Sequence, residues 1–140
     1  MLKYLIAEDT LFKQSYDSLE CAIRSAGRLL ERKNYILPAY SEAMVEMVRQ
    51  KGPYIVIMPG IALAHARPDS KVLKNSIALV TCKEGVISGN TANDPVMAVF
   101  AIAAVTDNEH LILFRDVAKY IEKQENIEKL LGARCYGDLF

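Results

Sequence analysis

The feature that most limits how this chain can fold is the run Val-Met-Ala-Val-Phe-Ala-Ile-Ala-Ala-Val at positions 96–105, which carries no polar side chain. It is about half of the roughly 20 residues that a membrane-spanning helix needs, so its burial has to come from the protein itself. Rich in Val and Ala, preceded by the turn-forming Asn93-Asp94-Pro95, it reads as a central strand covered on both faces. A strand with two apolar faces needs two covers, and segments with helical periodicity lie on both sides of it in the chain. The expected class is therefore α/β: a single domain, a mixed β-sheet flanked by helices on both faces. A length of 140 residues suits one such domain, spanning 1–140.

The other elements follow from periodicity and punctuation. Residues 11–16 alternate weakly and suit an edge strand. Asp17 followed by Glu20 is a capping-box pattern with Asp in the Ser/Thr place, and Leu19, Ala22, Ile23, Ala26 and Leu30 recur at helical spacing to about Lys33, with Asn34 as a left-handed stop. Pro38 suits the first position of a second helix, which turns Ala43, Met44, Met47 and Val48 to the core and ends at Gly52-Pro53. Residues 76–82 read as a strand closed by the turn Lys83-Glu84-Gly85, and 68–75 and 88–95 as polar loops. Asp107 is placed to cap a helix with Leu111, Phe114, Val117, Ala118 and Ile121 on its buried stripe; Ile127, Leu130 and Leu131 mark a last short helix closed by Gly132.

Chemistry concentrates at 52–67, Gly-Pro-Tyr-Ile-Val-Ile-Met-Pro-Gly-Ile-Ala-Leu-Ala-His-Ala-Arg. Met58-Pro59-Gly60-Ile61 has Pro and Gly where a type II turn requires them, so 54–57 and 61–65 form a tight hairpin. Along its second strand Ile61, Leu63 and His65 share one face, while Ala62 and Ala64 leave the other thin enough for close packing. Arg67 and Pro68 stop the strand and leave the imidazole of His65 at the rim of a sheet. His110, placed third in the helix that Asp107 would cap, points inward from the first turn; the helix dipole there keeps imidazole neutral and favours an anion beside it. Arg49, in the last turn of its helix, is a cation complementing that end. Taken alone, each histidine is better read as a core residue bonded to a backbone carbonyl.

Composition removes several classes. Seventeen basic and seventeen acidic residues cancel, so nothing in the bulk charge attracts nucleic acid or an anionic membrane. Hydrophobic residues make up 51%, too many for a disordered chain. The stretch Met-Leu-Lys-Tyr-Leu-Ile-Ala-Glu-Asp meets acidic residues before a signal-type apolar region develops, giving an expectation of a cytoplasmic protein with no membrane insertion. Cys21, Cys82 and Cys135 are widely spaced and form no CxxC pair, so neither a disulfide framework nor a zinc site is indicated. A cysteine hydrolase pairing one of these thiols with His65 or His110 has no flanking motif in its favour.

Four segments together, Gly52 onward through Gly-Ile-Ala-Leu-Ala-His-Ala-Arg-Pro, then Ser-Ile-Ala-Leu-Val-Thr-Cys-Lys-Glu-Gly-Val, then Gly-Asn-Thr-Ala-Asn-Asp-Pro-Val, then Thr-Asp-Asn-Glu-His-Leu, resemble the enzyme IIA component of the bacterial phosphotransferase system. The similarity is to the mannitol/fructose/ascorbate class, and the Gly-Pro-Tyr and Asn-Asp-Pro-Val elements are most like the ascorbate branch. The resemblance implies a phosphocarrier with His65 as phosphoacceptor, His110 stabilising the phosphoryl group and Arg49 as a further candidate. It implies the histidine phosphocarrier protein as donor and a cysteine of enzyme IIB as acceptor, for sugar uptake, with ascorbate the sugar of that branch. Arg67, Asn93 and Asp94 would border the shared docking surface. No nucleotide, metal or other cofactor is called for, and a homodimer is left open. A regulatory enzyme IIA, acting as a phosphorylation-dependent binding module, would carry the same site. Two positions depart from the family pattern: Ala64 stands where Pro commonly precedes the active histidine, and Ser88 where an aromatic commonly precedes Gly89.

Overall fold

The apolar run does form the middle of the sheet. The computed structural model describes residues 2–140, and in it strand β5, Val96–Ala103, is the third of five strands. The others are β1 (Thr10–Gln14), β2 (Val56–Met58), β3 (Ile61–His65) and β4 (Ser76–Val86), in the spatial order β1-β4-β5-β3-β2. β5 runs antiparallel to β4 and parallel to β3, β1 is parallel to β4, and β2 returns antiparallel to β3, so the sheet is mixed. Helices α1 (Leu19–Glu31) and α2 (Pro38–Lys51) precede the hairpin; α3 (Asp107–Ile121) and α4 (Gln124–Gly132) follow β5.

Alternation along β3 and β5 sorts two cores. Ala62, Ala64, Val99, Ala101 and Ala103 face α1 and α2, while Ile61, Leu63, Ala98, Phe100 and Ile102 face α3 and α4. Val96 and residues 98–104 are fully buried, the state that a two-sided strand requires. The thin alanine face lets a large side chain of α2 reach the strands. Tyr40 is 1% exposed; its hydroxyl donates to the Ile102 carbonyl at 2.7 Å and accepts from the Ala66 amide at 3.1 Å. One phenol thus ties the ends of β3 and β5, satisfying two backbone groups that sheet pairing leaves over. Burial pushes that hydroxyl's pKa far up, so it is a permanent donor.

The hairpin turns where expected, with Gly60 at φ +80°, the value a type II turn needs at its third position, and Val56 paired with Ala62, but its first strand is Val56–Met58 and not 54–57, and Tyr54 and Ile55 lie in a turn before it. Asn34 takes φ +59° and stops α1, although the helix proper ends at Glu31. Other expectations are corrected. The cap of α1 is Ser18, whose hydroxyl accepts from the Cys21 amide at 3.1 Å, and not Asp17; the cap of α3 is Thr106, which accepts from the Glu109 amide at 3.2 Å, and not Asp107. In each case the extended backbone that a cap needs falls one residue away from the acid. The buried stripe of α3 is Leu113, Val117, Tyr120 and Ile121; of the other residues expected on it, Phe114 is half-buried, and Leu111, 59% exposed, and Ala118 face outward. In α2 the buried residues are Tyr40, Ser41, Met44 and Val45, flanked by Ala43, Met47 and Val48. β4 continues through Lys83 and Glu84 to Val86 by an irregularity in its pairing with β5, with Gly85 at φ +83°. Gly132 is the last residue of α4 and takes no left-handed turn.

Replacing Tyr40 with Phe keeps the packing and strands the Ala66 N–H and the Ile102 carbonyl. The expected cost is about 1–3 kcal/mol, read as a lowered urea midpoint with an unchanged slope; an unchanged midpoint would mean that the strand ends are held by packing alone.

Candidate functional site

β3 and β5 are parallel and end level with each other, His65 opposite Ile102. Beyond β5 the chain turns through Thr106 straight into α3, which brings His110 over the end of β3. Sequence positions 45 residues apart become ring neighbours: the imidazoles of His65 and His110 lie 5.5 Å apart between centroids. Phe114, one turn after His110, packs edge-on against both rings, at 4.9 Å from His65 and 4.7 Å from His110.

The hydrogen bonds of His65 settle its tautomer. Nδ1 lies 2.9 Å from the carbonyl oxygen of Leu63, and a carbonyl can only accept, so Nδ1 carries the proton. Nε2 is left with its lone pair, and the hydroxyl of Tyr54 lies 3.4 Å from it. Burial lowers the pKa of His65, the positive charge of Lys51 lowers it further, and the Leu63 carbonyl opposes both. His110 is lowered as well, by burial first and by His65 second, with Asp107 pulling the other way. Both rings are therefore held neutral at pH 7. Nε2 of His110 is buried and has no hydrogen-bond partner among the described residues.

The amide of His110 is already spent on the Thr106 carbonyl at 2.9 Å, because the cap lies one residue earlier than expected and His110 is the fourth helical residue, not the third. The imidazole, and not that amide, is what His110 offers. Arg49 sits in the last turn of α2, half exposed, with its guanidinium on Glu20 at 2.8 Å and Glu46 at 3.8 Å. No contact joins it to the histidines among the described residues, and Lys51 is the cation whose charge His65 feels. Arg67 follows the strand end, exposed. Asn93 and Asp94 shape the adjoining loop: Asn93 donates through its side chain to the Val56 carbonyl at 3.0 Å, as Asn90 does at 3.1 Å, and the Asp94 carboxylate accepts from the Ser88 amide and hydroxyl and the Gly89 amide. Burial pushes Asp94 up, but these hydrogen bonds hold its pKa below the usual carboxylate range.

Tyr54, Phe114 and Lys51 were missed as site residues by sequence reasoning. Phe114 was legible as a residue one turn after His110, though only as core; Tyr54 was assigned to a strand, and its phenol reaches His65 only because Gly52 at φ +82° and Pro53 turn the chain between α2 and β2. Of the thiols, Cys82 lies buried in β4 with its pKa pushed up to about 11 by burial, the opposite of an activated nucleophile, and Cys21 and Cys135 are exposed.

The family model described as "Phosphoenolpyruvate-dependent sugar phosphotransferase system, EIIA 2" matches residues 3–139. Among curated proteins, the ascorbate-specific PTS system EIIA component of Escherichia coli (strain K12) is 34% identical over 114 residues, covering 81% of this chain and 74% of its own length; that of Shigella flexneri matches equally. Among solved structures, the mannitol-specific cryptic phosphotransferase enzyme IIA of Escherichia coli superposes with a TM-score of 0.87 at 26% identity, over 97% of this chain and 92% of that one. The mannitol enzyme IIA of the same organism, solved in complex with phosphorylated enzyme IIB, gives 0.83 at 26% identity, over 96% and 92%.

Both histidines should titrate below the ordinary imidazole value of about 6.5. The unfolded chain then binds more protons than the folded one in the interval below that value, so their contribution to stability is complete above about pH 6.5 and is lost as pH falls through the folded values. Proton NMR of the ring signals and urea midpoints from pH 7.5 to 5 check this; midpoints at or above 6.5 would mean that the rings are hydrated.

Proposed function

Because the chain belongs to the EIIA type 2 family of the phosphoenolpyruvate-dependent sugar phosphotransferase system, we propose that it is a cytoplasmic phosphocarrier that takes a phosphoryl group on Nε2 of His65 from the histidine phosphocarrier protein and passes it to a cysteine of enzyme IIB, in service of ascorbate uptake. The observation that carries this reading is the fixed tautomer: Nδ1–H on the Leu63 carbonyl leaves one nucleophilic nitrogen, at the rim of the sheet. The sugar is the one named for relatives at 34% identity, and the IIB partner is the one solved with the mannitol neighbour.

The transfer balances without moving a proton. As the donor's bond to phosphorus breaks, the Nε2 lone pair forms the new P–N bond, and the ring, keeping its Nδ1 proton, becomes a cation steadied by the Leu63 carbonyl. Onward transfer reverses this: a thiolate of IIB bonds to phosphorus, and the electron pair of the P–N bond returns to Nε2. A phosphoimidazole still protonated at Nδ1 leaves readily, so the same hydrogen bond serves both directions. Charge spreads over the equatorial oxygens in the loose transition state, and the protein's task is to aim the nucleophile and supply donors. Nε2 of His110, buried beside the nucleophile with no partner of its own, is assigned that part, carrying its proton there when it meets the anion. Arg49 would join only by releasing Glu20, which makes it the weaker candidate.

The docking surface would centre on His65 with Tyr54, Ile57, Leu111 and Ile112, large side chains that the fold leaves exposed, and have Arg67 at its rim. Asn93 and Asp94 border it by holding the loop in shape, since their side-chain bonds are already made within the chain.

Incubation with labelled phosphoenolpyruvate, the general donor enzyme and the phosphocarrier should label His65; label on His110 with His65 empty would overturn the assignment. His110→Ala should slow transfer by about 10²–10³ with the fold intact, comparable to losing one transition-state donor, and a wild-type rate would return His110 to a packing role.

A further inference from the structure

We infer that Tyr54 is a gate on the phosphoacceptor, its hydroxyl holding the lone pair of His65 Nε2 in the resting protein and turning to a phosphoryl oxygen once the P–N bond has formed. The inference rests on the reading of His65 as the phosphoacceptor and adds a residue to it. With Nδ1 committed to the Leu63 carbonyl, Nε2 has no hydrogen to give, so in the 3.4 Å contact the phenol is the donor and the nitrogen the acceptor. The hydroxyl hydrogen therefore points at the electron pair that has to attack phosphorus. At 3.4 Å the bond is long for its type, a contact that yields easily.

The ring is poised for that exchange. The two ring planes are nearly perpendicular, at 87° and 5.8 Å between centroids, and the hydroxyl is the part of Tyr54 that lies within hydrogen-bond reach of Nε2. Its backbone is fixed, because the Val56 amide donates to the Pro53 carbonyl at 3.1 Å and closes a turn around it, while the side chain is 43% exposed and has solvent to swing into. When phosphorus takes the Nε2 lone pair, the phenol loses a neutral acceptor and gains anionic oxygens beside the same nitrogen. Hydrogen bonds to charged acceptors are roughly twice as strong as neutral ones, so Tyr54 favours the phosphorylated state over the resting one. Burial raises the phenol's pKa, which keeps its proton available next to an anion. Phe114, the other aromatic on His65, has no hydrogen to offer, and His110 reaches the site through a nitrogen that is buried, not exposed.

The test is Tyr54→Phe, which removes the hydroxyl and little else. Three readouts are taken on wild type and variant: the position of the label, the equilibrium distribution of phosphate between the phosphocarrier and this protein, and the ¹⁵N resonance of His65 Nε2 in the resting state. The expected result is label still on His65, an equilibrium shifted toward the phosphocarrier by about tenfold, as one charge-assisted hydrogen bond implies, and a displaced Nε2 resonance. Label on His65 with a wild-type equilibrium overturns the gate and leaves the phosphocarrier reading standing. A wild-type protein that takes no label on His65 overturns both.

Discussion

The site depends on β3 and β5 ending side by side, and the Tyr40 hydroxyl is what fastens them. It lies on the far side of the sheet from the histidines and bonds the carbonyl of Ile102, the residue opposite His65, and the amide of Ala66, the residue after it. A phenol buried at 1% exposure can do this only because Ala62, Ala64, Ala101 and Ala103 leave it room. The thin face of the strands thus has a purpose on the thick one. It lets α2 approach closely enough to lock the strand ends whose other side carries His65. The Ala64 that stands in place of the family's proline belongs to this arrangement: it is fully buried in the ladder opposite Ala101, and its amide is free to pair as a proline's could not.

Electrostatics at the site follow from dehydration more than from charge. The aromatic rings packed against His65 are those of Tyr54, His110 and Phe114, none of them carrying a charge at pH 7. Burial is the largest cause lowering the pKa of both imidazoles, and the Lys51 charge acts in the same direction on His65. Under the proposed function, such a neutral, partly dry imidazole would meet a dianionic phosphoryl group at least cost in its own desolvation and greatest gain from each donor hydrogen bond. The neighbouring loop is built on the opposite plan. Ser88, which replaces an aromatic of the family pattern, gives both its amide and its hydroxyl to Asp94, so this chain closes the loop with a carboxylate and hydrogen bonds in place of a ring.

Much of this was legible in the amino-acid order. The apolar run 96–105 determined a central two-sided strand, since such a run has no other stable use in a chain of this composition. Pro59-Gly60 determined the hairpin through backbone sterics alone, and the alternation along 61–65 determined which face His65 takes. Helix ends were less secure: both acidic caps proposed from sequence lie one residue from the true ones, because Asp17 and Ser18, or Thr106 and Asp107, are each competent, and the choice rests on where the extended backbone enters the helix. Tertiary structure decided the rest. That His65 and His110 share a site follows from β3 and β5 being neighbours, a long-range pairing that no local pattern encodes. That Arg49 faces Glu20 on α1, that Tyr54 reaches Nε2, and that Tyr40 reaches two strand ends depend on how whole elements stack. Periodicity reports which side of an element is buried; only the packed fold reports what that side is buried against.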